Sequence, residues 1–362
     1  MTIMPHEAPD RRAIIGVDTH KDVHVAVALD TLGVRLQERS VPTTPSGYVQ
    51  LEQWATSLGT VQAFGVEGTG SYGAGLTRFL TARGHRVVEV NRPDRATRYQ
   101  VGKSDPIDAE MAARSVLAGT ARGTPKDGAG AVEMIRMLKL TRDSAVKART
   151  QSLNQIKALL VTAPTELRAA LNDLTVGKLL QRCEALRPGP LTSTTAVAKH
   201  SLRLLARRNL GLRQEVKDLT RQIRMLTDTA TPQLREIFGV GPDTAARLLM
   251  TAGDNPHRLH SEAAFAALCG VSPIPASSGK IQRHRLNRGG DRQANAALHR
   301  VVVVRLRWHE PTRTYMERRL KEHKTKAEII RCLKRYVARE IYRTLCPTPA
   351  LPATSEVAAH AA

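Results

Sequence analysis

Two apolar runs in the first seventy residues each end in a single carboxylate. Ile14-Ile15-Gly16-Val17 gives way to Asp18, and Ala63-Phe64-Gly65-Val66 gives way to Glu67. Short apolar, β-branched runs bounded by polar residues predict strands. If the two strands lie side by side and parallel, both carboxylates sit at one sheet edge, where their repulsion is unfavourable unless a cation lies between them.

The flanking sequence predicts the sheet that would hold them. AIIGVDTH and VHVAVALD are strand-like, and Thr31-Leu32-Gly33 turns the chain into VRLQERSV, which gives an antiparallel meander. SGYVQLEQWATSL predicts a helix; VQAFGVEG, GAGLTRFLTARG and HRVVEV follow as strand, helix and strand. Three antiparallel strands followed by β-α-β units describe a mixed α/β sheet of the RNase H-like kind. The expected division is an α/β domain over 11–128, a helical, coiled-coil-like region over 129–230, a mostly helical domain over 231–346, and a disordered Ala/Pro-rich tail over 347–362.

In the second region, Ile135, Leu138, Val146, Leu153, Ile156 and Leu160 recur at helical spacing, predicting a helix longer than ~40 Å that stops at Pro164. After the break at 187–195, Leu212, Val216, Leu219, Ile223 and Leu226 follow an a/d pattern for two heptads. That pattern suits two helices packed within one molecule as well as a seam between two copies.

A third acidic element is Lys103-Ser104-Asp105-Pro106-Ile107-Asp108. Pro106 fits the first helical position, which makes Asp105 the N-cap, and Asp108 shares its face. Taken alone, this is an ordinary helix start that favours acids on dipole grounds. Joined to the strand ends, it predicts that Asp18, Glu67, Asp105 and Asp108 converge. Four hard oxygen donors suit Mg²⁺ or Mn²⁺ rather than zinc, and such a pair of ions can serve phosphodiester cleavage.

Two neighbouring motifs compete for attention. His20 and His24 have H-x-x-x-H spacing, but they fall on a strand and its turn, not on the helix that zinc would need; both are expected in a loop, in reach of substrate. Gly68-Thr69-Gly70-Ser71-Tyr72-Gly73 matches the G-x-G-x-x-G dinucleotide fingerprint, and the next strand ends in Asn91-Arg92, where an NADP-type site places a basic residue. The antiparallel opening strands and the basic C-terminal half argue against a dehydrogenase.

Charge separates the two ends of the chain. Of 55 Lys+Arg and 33 Asp+Glu, 15 and 14 lie in residues 1–128, leaving 40 against 19 for residues 129–362. A polyanion-binding surface is therefore expected in the C-terminal two-thirds. With 3% aromatic residues, binding is expected to be led by phosphate contacts rather than base stacking. No apolar run approaches the ~18 residues of a membrane span, and the start of the chain lacks a signal-peptide core. The four scattered cysteines show no zinc spacing, as in a cytoplasmic protein with reduced thiols.

Two C-terminal segments offer handles for nucleic acid. Phe238 to Leu249 has the form of a helix-hairpin-helix, in which Gly239 and Gly241 present amides to a phosphate; a tight turn in a helical bundle explains it equally well. Residues 273–293 form a loop with Ser277-Ser278-Gly279 followed by Lys280, Arg283, Arg285 and Arg288, whose charges suit a phosphate. Ser-Ser-Gly by itself is common loop chemistry.

Taken in order, IIGVDTHKDVHVAVALD, FGVEGTGSYG, VGKSDPIDAEMAAR, GVGPDTAARLL, CGVSPIPASSGK and NRGGDRQANAALHRVV closely resemble the DEDD transposases of the IS110 group of insertion sequences and the related Piv-type DNA invertases. The resemblance spans about residues 13–345. It implies a RuvC-like domain whose four acids match Asp18, Glu67, Asp105 and Asp108, a helical linker, and a C-terminal domain whose serine forms a covalent phosphoserine link with DNA. That serine maps to Ser278, with Ser277 the alternate, because Lys280 stands where the family often has a second glycine. The resemblance further implies assembly as a dimer or tetramer and guidance by a structured non-coding bridge RNA. Other readings of the same residues are a Holliday-junction resolvase that uses water, and a nucleic-acid-binding protein without catalysis.

Overall fold

The computed structural model describes residues 11–91, 104–279 and 284–347. The chain divides into two compact units, Met1–Gly130 with Gly253–His260, and Ala131–Ala252 with Ser261–Ala362.

The first unit is built on a five-stranded sheet: β1 (Arg12–Thr19), β2 (Val23–Asp30), β3 (Arg35–Pro42), β4 (Thr60–Glu67) and β5 (Val87–Val90), in the order β3-β2-β1-β4-β5. β1, β2 and β3 form the expected antiparallel meander, and β4 joins β1 in parallel, with β5 beyond it. Helices α1 (Pro45–Ser57) and α2 (Ala74–Ala82) cover one face, where Ile15, Val17, Leu51, Trp54, Leu76 and Leu80 share a core. Helix α3 (Asp105–Leu117) covers the other, over Ile14, Val27 and Leu29. Cover on both faces explains why β1 and β2 are apolar without alternation. β3 is the exposed edge, and its Arg35, Glu38 and Arg39 discourage further strand pairing.

The second unit begins with α4 (Ala131–Val161), 31 residues and about 46 Å at ~1.5 Å per residue. After α5 (Thr165–Leu171) and α6 (Val176–Glu184) comes α7 (Thr194–Ala230), capped by the Ser193 hydroxyl. α4 and α7 run antiparallel: Asn209 Nδ2 donates to Arg149 O (2.7 Å) and Ser152 Oγ (2.8 Å), and further along Arg142 Nε donates to Thr220 Oγ1 (2.8 Å). Val216 and Ile223, two of the heptad positions, are buried. The periodicity therefore serves a pairing of two helices within the chain.

The rest of the unit is α8 (Pro232–Glu236), α9 (Pro242–Ala252), α10 (Glu262–Leu268), a two-residue hairpin of β6 (Ile274–Pro275) and β7 (His284–Arg285), α11 (Arg292–Trp308), α12 (Glu310–Lys321) and α13 (Lys326–Leu345). The four cysteines are free thiols. Burial pushes Cys183 up to about 11, and burial with the Asp291 charge pushes Cys269 up to about 12, so neither forms a thiolate near neutral pH. Among the described residues no helix is long and apolar enough to cross a membrane. The expected disordered tail, 347–362, lies outside the described residues but for Pro347.

Candidate active site

The register of β1 and β4 sets up the acidic edge. Gly16 pairs with Gly65 and Val17 with Val66, so the next residues, Asp18 and Glu67, are lateral neighbours where the two parallel strands end. They lie on the face that carries α3, because side chains two apart on a strand share a face and Gly16 and Gly65 both meet that helix. A Cβ on Gly16 would lie 1.9 Å from Ala109 O and 2.4 Å from Ala113 N. One on Gly65 would lie 2.7 Å from a Val116 methyl and 3.1 Å from Ala112 O. Two glycines below and three alanines above let the helix backbone rest on the sheet, and its first turn then meets the strand ends. Sequence reasoning passed over both glycines, although each stands two residues before an acid.

Asp18 and Asp108 are 7% and 6% exposed, while Asp105 lies half in solvent. Glu67 is half-buried, with its Oε1 shielded from water, and its carbonyl accepts the Thr19 hydroxyl at 2.8 Å. Burial pushes the Asp18 carboxyl above the usual range; His20 opposes this, and the charges of Asp108 and Asp105 reinforce it. His20 Nε2 stands 3.1 Å from Asp18 Oδ2 and 3.4 Å from Asp105 Oδ1. Among the described residues, Asp18, His20 and Asp105 are the set whose ligand atoms all lie within 4.8 Å of one another. Glu67 and Asp108 border this triad and are not members of it.

In the second unit, Ser277 and Ser278 are both exposed on the segment between β6 and β7, followed by Gly279 at φ +55°. Arg285 and Arg288 are exposed beyond it, while Lys280 and Arg283 lie outside the described residues. The turn from α8 to α9 holds Gly239 at φ +85°, against Val301, and Arg305 pins it by donating from Nε to Phe238 O (2.9 Å) while pairing with Glu340. Gly241 faces open space.

Two family models match this chain. One, described as "Transposase" and of the IS110 DEDD type, covers residues 15–163; the other, "Transposase IS116/IS110/IS902 family", covers residues 231–317. The chain belongs to the IS110 family of transposases. Relatives agree. A Sinorhizobium fredii protein described as a transposase, y4pF/y4sB, is 28% identical over 61% of this chain, a match that spans 56% of that relative's length. The 43.6 kDa protein of insertion element IS110 from Streptomyces coelicolor is 24% identical over 91% of this chain and 93% of its own length. The IS110 family is one of DNA-transposing enzymes, and the acidic edge falls inside the first matched segment, the serines inside the second.

Within this IS110 transposase two expectations need correction. Asp105 is the first helical residue, not the N-cap: Asp108 N–H donates to Ser104 O (3.0 Å), which makes Ser104 the cap and puts Pro106 second, still within the turn that needs no N–H. His24 is not a loop residue; it is fully buried in β2 and stacked on Tyr48 at 5.8 Å, so His20 alone meets the acids. The Gly68–Gly73 loop does link a strand to a helix, as a dinucleotide fingerprint would, and the antiparallel β1-β2-β3 meander bears out the argument against a doubly wound, mostly parallel sheet. Of the basic position expected after β5, Asn91 is described and Arg92 lies outside the described residues.

Asp243, just inside α9, carries a role no motif announced. It binds Lys139 (3.0 Å) and Arg142 (3.0 Å) of α4 and Arg300 (2.8 Å) of α11. Lys139, 4% exposed, also pairs with Asp143, which Arg247 meets at 3.1 Å. The helix end at the Gly239–Gly241 turn is thus compensated by an internal acid.

Proposed function

We propose that this IS110 transposase cuts and rejoins DNA for the excision and insertion of an insertion sequence. Its RuvC-like, RNase H-like first unit uses Asp18, Glu67, Asp105 and Asp108 to hold divalent metal, and Ser278, with Ser277 the alternate, is the nucleophile. The observation that carries the reading is the buried Asp18 beside Asp105 and Asp108 of the first turn of α3, with Glu67 one residue past the last β1–β4 pair on the neighbouring strand.

The donor set fits a hard divalent cation, Mg²⁺ or Mn²⁺. Carboxylates dominate it, and Asp18 is desolvated beside Asp105 and Asp108, an arrangement that a cation relieves. His20 offers a nitrogen beside two of the acids. The bound metal supplies charge neutralisation at the scissile phosphate.

The serine hydroxyl oxygen attacks phosphorus, a phosphoserine bond forms, and the bond from phosphorus to the leaving deoxyribose oxygen breaks. That oxygen takes up a proton, and the serine proton passes to solvent or a neighbouring base. Arg285 and Arg288 stabilise the phosphate charge beside the serine, together with Lys280 and Arg283, and the Gly239 and Gly241 amides offer a further backbone contact. A structured non-coding guide RNA and a dimer or tetramer complete the proposed assembly; support comes from the 40 basic against 19 acidic residues over 129–362.

Trapping a protein–DNA adduct tests this. The expected result is an adduct lost in Ser278→Ala, kept in Ser277→Ala, and lost in Asp18→Ala. Efficient cutting with no adduct in any variant overturns the serine role and favours a resolvase that uses water. Excision unchanged by Asp18→Ala and Glu67→Ala overturns the acidic site.

A further inference from the structure

The second unit also holds a groove of about 1260 Å³, lined by the loop after β7 and by the first half of α13. Arg285, Arg288 and Arg292 line one side, and Lys324, Arg331 and Lys334 the other. One carboxylate, Glu328, shares this lining, and it is committed to the N–H (2.9 Å) and hydroxyl (2.8 Å) of Thr325. Arg319 and Arg335 also border the groove, but Glu322 and Glu262 already neutralise them. Glu328 also feels the charges of Lys324 and Arg331, whereas among the described residues Arg285, Arg288, Arg292 and Lys334 show no ion pair with a carboxylate. Six cations facing a single carboxylate around one concavity leave a net positive charge and repel one another unless an anion enters.

The groove is built rather than merely charged. Lys334 Nζ donates to Asn295 Oδ1 (2.8 Å), and Asn295 Nδ2 in turn donates to Cys269 O (3.1 Å) and Gly270 O (2.9 Å). The ammonium is therefore half-buried, held at a fixed point, and met by an amide oxygen instead of a charge. Burial, and then Arg331, hold it below the usual lysine range. The opposite wall is equally fixed: Asn287 Nδ2 donates to Ala267 O (3.2 Å), and Gly290 packs so tightly on Gly270 that a Cβ would lie 2.2 Å from its nitrogen. Tyr336, the groove's one phenol ring, is turned edge-on to Tyr315 (5.7 Å, 89°), which leaves no stack of rings for bases.

We propose that this groove is a phosphate-backbone cradle for the DNA strand, gripping it beside the Ser277–Ser278 segment, with Lys334 as a fixed contact. DNA is favoured because β7, on the groove wall, is one of the two strands flanking that segment, so a strand presented to the serines continues along the wall. The inference rests on DNA being the substrate of the second unit, as proposed above, and not on which atom attacks.

The test is binding of a fluorescein-labelled 30-base-pair DNA duplex to the full chain in chelator, by anisotropy across a salt series. Lys334→Gln, which keeps a donor for Asn295, and Arg331→Ala should each weaken binding about 5-fold and flatten the log–log salt dependence by about 0.9. Arg213→Ala and Lys217→Ala, exposed on α7, remove the same charge and should change affinity less than 2-fold. Equal losses in both sets, or wild-type binding by Lys334→Gln and Arg331→Ala, overturn the proposal. So does a loss confined to a structured RNA probe with DNA binding unchanged. If adduct trapping fails while Lys334→Gln still weakens DNA binding, the serine reading falls and the groove stands.

Discussion

Gly16 of β1 lies directly under Ala109 of α3, so close that a methyl group on the glycine would sit 1.9 Å from the alanine carbonyl oxygen. No side chain can be inserted there without lifting the helix, and the helix carries Asp105 and Asp108. Gly16→Ala is therefore expected to cost about 1–3 kcal/mol of stability through overpacking. Strand cleavage should fall further than that loss explains, by about 100-fold, because a displacement near 1 Å misaligns reacting groups. Gly70→Ala, in open space, should change neither. Chemical denaturation alongside a cleavage assay on both variants decides it, and cleavage at the wild-type rate by a folded Gly16→Ala protein would sink the argument.

Asp18 is kept buried beside two other acids at a cost to stability, as expected of a residue retained for function. Without metal, Asp18→Asn should raise stability by on the order of 1 kcal/mol while abolishing cleavage. Added Mg²⁺ or Mn²⁺ should stabilise the wild type by about 2.7 kcal/mol at a hundredfold excess over Kd, and leave Asp18→Asn unmoved. Thermal unfolding with and without metal reads both effects; equal metal stabilisation of the two proteins would place the ion elsewhere.

What the sequence makes legible here is mostly what local pattern controls. The Val- and Ile-rich runs mark four strands of the sheet, the Thr31–Gly33 turn brings in the polar β3, and an acid closing each of two such runs marks the sheet's edge, because strand identity and strand ends are local properties. The cap before Pro106 was displaced by one residue, since proline is accepted at either of the first two helical positions. The heptads of α7 were visible, but their partner was not: periodicity states that a face is buried, not against what. His24 and Asp243 were illegible for a stronger reason. One is defined by Tyr48 stacking on it from another element, and the other by Lys139, a hundred residues away. Long-range pairing leaves no spacing to find.

The sequence places His20 in a loop in reach of substrate but not beside Asp105, which comes to it only through the packing of α3. With its ring nitrogen 3.1 Å from Asp18, His20 either contributes to the ion or orients the carboxylate that does. Either role predicts that His20→Ala weakens metal affinity by about 10- to 100-fold with little change in metal-free stability. Titration of Mn²⁺ followed by calorimetry measures this directly. Unchanged affinity would reduce His20 to a bystander in the turn.

Asp243 is expected to contribute to the acid stability of the second unit. Burial alone pushes its carboxyl upward, but the Lys139 hydrogen bond and charge, with Arg142 and Arg300, outweigh it and leave the group below the usual carboxylate range. A carboxyl depressed on folding contributes stability that is complete above its unfolded value of about 3.9 and is lost as pH falls through the lower folded value. Asp243→Asn should thus destabilise the protein at pH 7 by about 1–3 kcal/mol, and the gap to wild type should close below about pH 4. Lys139→Met should cost less at pH 7, because Asp243 and Asp143 keep arginine partners while the buried site gains an apolar chain of similar length. Urea denaturation from pH 3 to 7 separates the two variants, and a gap that persists unchanged at pH 3 would show that the network does not stabilise through the Asp243 charge.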